Sequence, residues 1–149
     1  MIERADKNLA FMLQYENVAW YEKGTVKILD RRIYPVRTVF VTCHTHQEVA
    51  QAIKDMVTQS AGPYLAAGMG MALAAWECRD MGEEKQIEYL KKASYTLSHA
   101  RPTTTVRMEA ITQKCIDTAK EALAEGKPAD KAVFEHSVEE VNNKYIRIG

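Results

Sequence analysis

The apolar positions along the chain change period near residue 45. Between residues 17 and 43 they gather in short β-branched and aromatic runs, and beyond 45 they recur at helical spacing. Residues 17–21 and 25–30 flank Glu22-Lys23-Gly24, and both are rich in Val, Ile, Trp or Tyr, which predicts a hairpin whose turn uses the glycine. After Arg31-Arg32 and a break at Pro35, residues 38–43 (TVFVTC) predict a third strand.

Thr45-His46-Gln47-Glu48 has the form of a capping box, opening a first helix that carries Val49, Ile53, Met56 and Val57 on one face and ends near Thr58. Residues 64–78 are apolar nearly all round and rich in Ala and Gly, which predicts a second helix enclosed by its neighbours. Its Gly68 and Gly70 each cost about 1 kcal/mol relative to Ala, so they suggest close approach of another backbone or a ligand. Residues 83–97 place Ile87, Leu90 and Leu97 on one face of a third, amphipathic helix. A fourth opens at 103–105, runs along a seam of Ile111, Cys115, Ala119 and Ala122, and closes at Gly126 and Pro128. Phe134, Val138, Val141 and Tyr145 mark a fifth. The fold class is therefore mainly α with a small β part (α+β): a hairpin or short antiparallel sheet followed by about five helices.

Composition narrows the picture. A chain of 149 residues, 46% hydrophobic and 27% charged, suits one domain spanning 1–149. Twenty Lys+Arg balance twenty Asp+Glu, so no global field draws it to nucleic acid or an anionic membrane. The uncharged stretch 56–76 is interrupted by Thr58, Gln59, Ser60, Gly62 and Pro63, and predicts a buried helix rather than a membrane span. The N-terminal residues lack a secretory pattern. With Cys43, Cys78 and Cys115 odd in number and widely spaced, the expected setting is a reducing cytoplasm with free thiols.

Two turns could carry chemistry. Gln59-Ser60-Ala61-Gly62-Pro63 joins two helices, and its amides, the helix dipole and the Ser60 hydroxyl could hold an anion; the plainer reading is an ordinary helix–helix turn. His99-Ala100-Arg101-Pro102-Thr103 sets an arginine, a rigid donor fork for phosphate, before a proline; alone it reads as a surface or capping arginine. If the two turns adjoin, they make one phosphate pocket. Cys43-His44-Thr45-His46 holds metal-ligand residue types, but Thr45 is better used as a cap and there is no second cluster, so no metal or cofactor is expected. His99 and His136 have no obvious partner, Cys78 and Cys115 read as buried inert thiols, and Met69, Met71 and Met81 read as core filling. Arg31-Arg32 is either solvated charge or the border of a cleft. P-loop, dinucleotide and catalytic-triad signatures are missing from the sequence.

The strings YENVAWYEKGTVKILDRRIYP, AIKDMV, GMGMALAA and HARPTT, in this order, resemble the N-terminal part of the methylthioribose-1-phosphate isomerase family, related to the alpha, beta and delta subunits of translation initiation factor 2B. The resemblance runs over nearly the whole chain. It implies a helical domain that helps hold the phosphate of a sugar-phosphate isomerase of methionine salvage, with a phosphorylated pentose as ligand. The family's catalytic Cys and Asp belong to a Rossmann-like C-terminal domain whose motifs are not in this sequence, so no catalytic residue is expected here and the chain alone is expected to be inactive. Its expected partners are that domain or a second subunit, with self-association. Arg101 matches the family arginine before Pro-Thr. Where family isomerases have Arg-Gly-Ala-Pro, this chain has Gln59-Ser60-Ala61-Gly62-Pro63, so a neutral amide replaces an arginine. The resemblance leaves a second reading, a non-enzymatic regulatory or assembly module like the initiation-factor subunits.

Overall fold

The computed structural model describes residues 15–59 and 62–148. A single helical turn, α1 (Tyr15–Val18), leads into three antiparallel strands, β1 (Ala19–Glu22), β2 (Thr25–Leu29) and β3 (Phe40–Cys43), in the order β1-β2-β3. Helices α2 (His46–Lys54), α3 (Gly62–Glu77), α4 (Glu83–Ser98), α5 (Thr105–Ala124) and α6 (Ala129–Ile148) follow, with a 3₁₀ turn at Pro102–Thr104 before α5. The α+β architecture is the one the hydrophobic pattern predicts. The first strand begins later than residue 17, because Asn17 and Val18 lie in α1.

The hairpin turns on Gly24, whose φ of +83° suits glycine; a Cβ there would also stand 2.7 Å from the Trp76 indole nitrogen, so the turn is pressed against α3. Helix α3 is the centre of the molecule, with thirteen of its sixteen residues buried. It packs against β1, β2 and every helix from α2 to α6. Its Gly68 and Gly70 face side chains rather than a ligand or another backbone: a Cβ on Gly70 would lie 3.0 Å from Leu97 Cδ2 and 3.1 Å from Val49 Cγ1, and one on Gly68 would strike the Ser137 side chain. Met69 and Met71 fill the core, whereas Met81 is 43% exposed in the α3–α4 turn, contrary to expectation. In α5 the buried stripe is Met108, Thr112, Cys115, Ile116, Ala119 and Ala122, with Ile111 only half-buried. In α6, Val133 and Ser137 point inward and Phe134, Val138 and Val141 flank them, while the Tyr145 side chain lies outside the described residues.

Helix α2 ends earlier than residue 58, and its end bears on the site. Val57 N–H donates to Ala52 O (3.0 Å) and Met56 N–H to Ile53 O (3.2 Å), the paired bonds of a Schellman motif. Met56 therefore takes the left-handed position, with φ +64°. Helix α5 closes with the same pair of bonds, Lys127 N–H to Ala122 O (2.8 Å) and Gly126 N–H to Leu123 O (3.1 Å), and there the left-handed residue is glycine, φ +74°. At the start of α2, Thr45 Oγ1 accepts from Glu48 N–H (3.2 Å), while the Glu48 carboxylate accepts from His44 N–H (2.6 Å), one residue earlier than a standard capping box. Among the described residues, no helix is long and apolar enough to cross a membrane.

Candidate functional site

The two turns adjoin. Arg101, extended at φ −134°, ψ 129° just before the 3₁₀ turn, sends its guanidinium back to the end of α2, where Nε donates to Ile53 O (2.7 Å) and Nη2 to Thr58 O (3.0 Å). Ile53 O, which already accepts from Met56 N–H, thus receives a second donor, and Thr58 O is held as well; the two bonds draw the His99–Thr103 corner against the corner leading into α3. Two of the five N–H donors of the fork are used this way. A second link lies close by, for the Arg107 guanidinium in the first turn of α5 stands 5.0 Å from the centroid of Tyr64 in the first turn of α3. The starts of two helices, each carrying partial positive charge, thus flank the corner together with two arginines.

Gln59 folds back on its own turn, Nε2 donating to Met56 O at 3.2 Å. The Gly62 N–H donates to Gln59 O at 3.0 Å, so this amide closes the turn. Gly62 is required for a steric reason as well, because a Cβ would collide with the buried Thr58 hydroxyl. Ser60 and Ala61 lie outside the described residues. Thr105 Oγ1 donates to Arg101 O (3.1 Å), tying the start of α5 to the residue that carries the fork. The plain reading of Arg101 as a capping arginine is thus partly realised, except that it caps α2, far away in sequence, rather than its own helix.

A second polar centre has no counterpart in the sequence reading. Glu77, the last residue of α3, accepts at Oε1 from His46 N–H (2.7 Å), lies 3.0 Å from His46 Nδ1, and accepts at Oε2 from the Tyr89 hydroxyl (2.6 Å). The His46 and Tyr89 rings meet edge to face, 5.5 Å apart. Burial raises the Glu77 pKa, but the hydrogen bonds from His46 and Tyr89 outweigh it and hold the carboxyl below its usual range; burial and the same bond raise the Tyr89 hydroxyl. This network joins the start of α2 to α3 and α4. A signal was present in the sequence as a lone histidine after a capping threonine, but its partners are 31 and 43 residues away.

His99 does have partners: it stacks on Tyr95 (centroids 4.0 Å, 22° between planes), Nδ1 lies 2.9 Å from Tyr95 O, and Nε2 is 3.8 Å from Glu109. All three cysteines are free and buried. Burial pushes the Cys43 and Cys78 thiols up to about 11 and Cys115 up to about 12. Of the arginine pair, Arg32 grips the buried Asp30 through Nε (2.9 Å) and Nη2 (2.8 Å), while the Arg31 N–H donates to Val57 O (2.7 Å).

No family model matches the chain. It is 31% identical, over 138 residues, to a methylthioribose-1-phosphate isomerase of Caldanaerobacter subterraneus subsp. tengcongensis, covering 87% of this chain and 39% of that protein. It is 39% identical over 84 residues to the protein of the same name from Natranaerobius thermophilus, covering 56% of this chain and 24% of that one. Two crystal structures share its fold. One is translation initiation factor eIF-2B, subunit delta, from A. fulgidus, with TM-score 0.67 at 24% identity over 83% of this chain and 36% of that one. The other is 5-methylthioribose 1-phosphate isomerase from Pyrococcus horikoshii, with TM-score 0.68 at 23% identity over 86% and 36%. The chain thus spans less than half the length of each of these proteins.

Proposed function

Because the chain belongs to the family of methylthioribose-1-phosphate isomerases and initiation factor 2B subunits, as an N-terminal portion of it, we propose that it supplies the phosphate-holding part of an aldose–ketose isomerase acting on a phosphorylated pentose. The observation that carries this reading is the Arg101 fork set at the corner where α2 ends and α3 begins. Its two bonds to Ile53 O and Thr58 O orient the guanidinium, and its further donors serve the phosphate. The amides of Ser60 and Ala61 and the dipole of α3 add to them, as a helix start does for an anion. Gln59 and Gly62 shape the turn rather than contact the ligand directly, since both are bonded within it.

Aldose–ketose isomerisation moves a proton between neighbouring carbons and needs a positioned acid and base. In this reading those groups come from an α/β domain or a second subunit docked over the corner, and this chain binds without turnover. The test is calorimetric titration with ribose 5-phosphate and with inorganic phosphate. Saturable binding of the sugar phosphate is expected, weakened about tenfold in Arg101→Lys, which keeps the charge and loses the planar fork. An absence of saturable binding at millimolar ligand, with the fold intact by circular dichroism, overturns it.

One observation favours a second reading, a regulatory or assembly module. Gln59 is neutral and its amide is already bonded to Met56 O, so the corner carries one positive charge fewer than the Arg-Gly-Ala-Pro turn it replaces. Under that reading ribose 5-phosphate does not bind.

A further inference from the structure

A groove runs along the outer edge of the sheet beside α2. In the order β1-β2-β3, β3 has no neighbouring strand on its outer side among the described residues. Helix α2 follows directly and lies beside it, and between them runs an open cleft of about 250 Å³. Its floor is Val41, Cys43 and Val57, and its helical wall is Glu48, Gln51, Ala52 and Asp55, the i, i+3, i+4, i+7 face of α2. The volume falls below the roughly 300–1,000 Å³ of small-molecule pockets. It suits one or two side chains of an extended chain.

The register shows which backbone groups face the groove. Asp30 N–H donates to Val39 O (2.8 Å), and the antiparallel ladder continues through Ile28↔Val41 and Val26↔Cys43. Bonded pairs alternate along such a ladder, so Val41 and Cys43 bond to β2, while the N–H and C=O of the exposed Thr42 point outward. The next outward N–H, that of His44, is already taken by Glu48 (2.6 Å), which bounds the open edge on that side. Charge complements the backbone. The rim carries Glu48 and Asp55 against Arg32, whose charge is offset by the bidentate Asp30, leaving the groove acidic.

We propose that this edge and the acidic face of α2 form a docking groove for an extended peptide with basic side chains, which adds as a fourth strand at Thr42 and sets a Lys or Arg against Glu48 and Asp55. The mode is strand addition, with main-chain bonds for affinity and alternate side chains for specificity. It rests on side chains and backbone groups other than those of the phosphate reading.

The experiment titrates the ¹⁵N-labelled chain with acetyl-Lys-Val-Thr-Val-Lys-amide and with its Glu-Val-Thr-Val-Glu counterpart. The basic peptide is expected to bind saturably, shifting the amide signals of Thr42, Gln51 and Asp55, and the acidic one not to bind. Thr42→Pro removes only an outward N–H, which an edge strand tolerates, and should abolish binding with the melting temperature retained. Asp55→Lys should weaken the basic peptide about fivefold and give the acidic one measurable affinity, a reversal that loss of structure would not produce. Equal binding of both peptides, no binding of either, or indifference to Thr42→Pro overturns the proposal. So does a concentration-dependent dimer in sedimentation that Thr42→Pro dissolves, because the edge would then be pairing with a second copy.

Discussion

Glu77 accepts from His46 twice, at 2.7 Å from the backbone N–H and across 3.0 Å from ring Nδ1, so one carboxylate both caps the start of α2 and orients the buried imidazole at its first residue. Its other oxygen holds the Tyr89 hydroxyl at 2.6 Å. Three helices are therefore joined through a single charge. Because the folded state depresses the Glu77 pKa, its contribution is fully present above the unfolded value of 4.5 and is lost as pH falls through the lower, folded value. Glu77→Gln should cost about 1–3 kcal/mol in urea unfolding at pH 7, and its melting temperature should fall less steeply than wild type between pH 5 and pH 3. Parallel pH profiles for the two proteins would refute this.

Met56 occupies the left-handed position that closes α2, where α5 uses Gly126 for the same motif. A non-glycine residue there costs about 1–2 kcal/mol, part of which returns as unfolded-state entropy when glycine is introduced. Met56 is 47% exposed, so little packing is lost on its removal. Met56→Gly should raise stability by up to about 1 kcal/mol, read as an increase in the urea midpoint with unchanged slope.

Gly70 presents the reverse case. Helix propensity alone favours alanine by about 1 kcal/mol, but the added methyl would lie 3.0–3.1 Å from Leu97 and Val49, both fully buried. Overpacking of a closed core costs typically about 1–3 kcal/mol. Gly70→Ala should therefore destabilise, and the double variant with Leu97→Ala should cost less than the sum of the two single losses, as a double-mutant cycle would show.

The three thiols are buried and pushed up to about 11 for Cys43 and Cys78 and about 12 for Cys115. Thiolate is the reacting species. Native protein at pH 8 should take up iodoacetamide only as fast as it opens, and protein in 8 M urea should gain three adducts by mass spectrometry.

At the α3 corner, Gln59→Arg restores the charge carried by the Arg-Gly-Ala-Pro turn. Under the phosphate reading it should tighten ribose 5-phosphate binding about tenfold, the worth of one charge-assisted hydrogen bond. An unchanged affinity would count against a phosphate at this corner.

The sequence by itself determined the period change at residue 45, the hairpin at Gly24, the order of five helices and the burial of α3, because these follow from local spacing, turn residues and the lack of charge over residues 56–76. It also marked Arg101 and the turn at Gln59 and Gly62. Their junction was a condition there rather than a result. Only the tertiary structure decided that Arg101 would reach back 48 residues to Ile53, that Glu77 would gather His46 and Tyr89, and that Gly68 and Gly70 would make room for side chains of α4 and α6. Each of these contacts joins residues far apart in sequence. Their partners are chosen by how helices pack around a shared core, which no local pattern of hydrophobic and polar positions encodes.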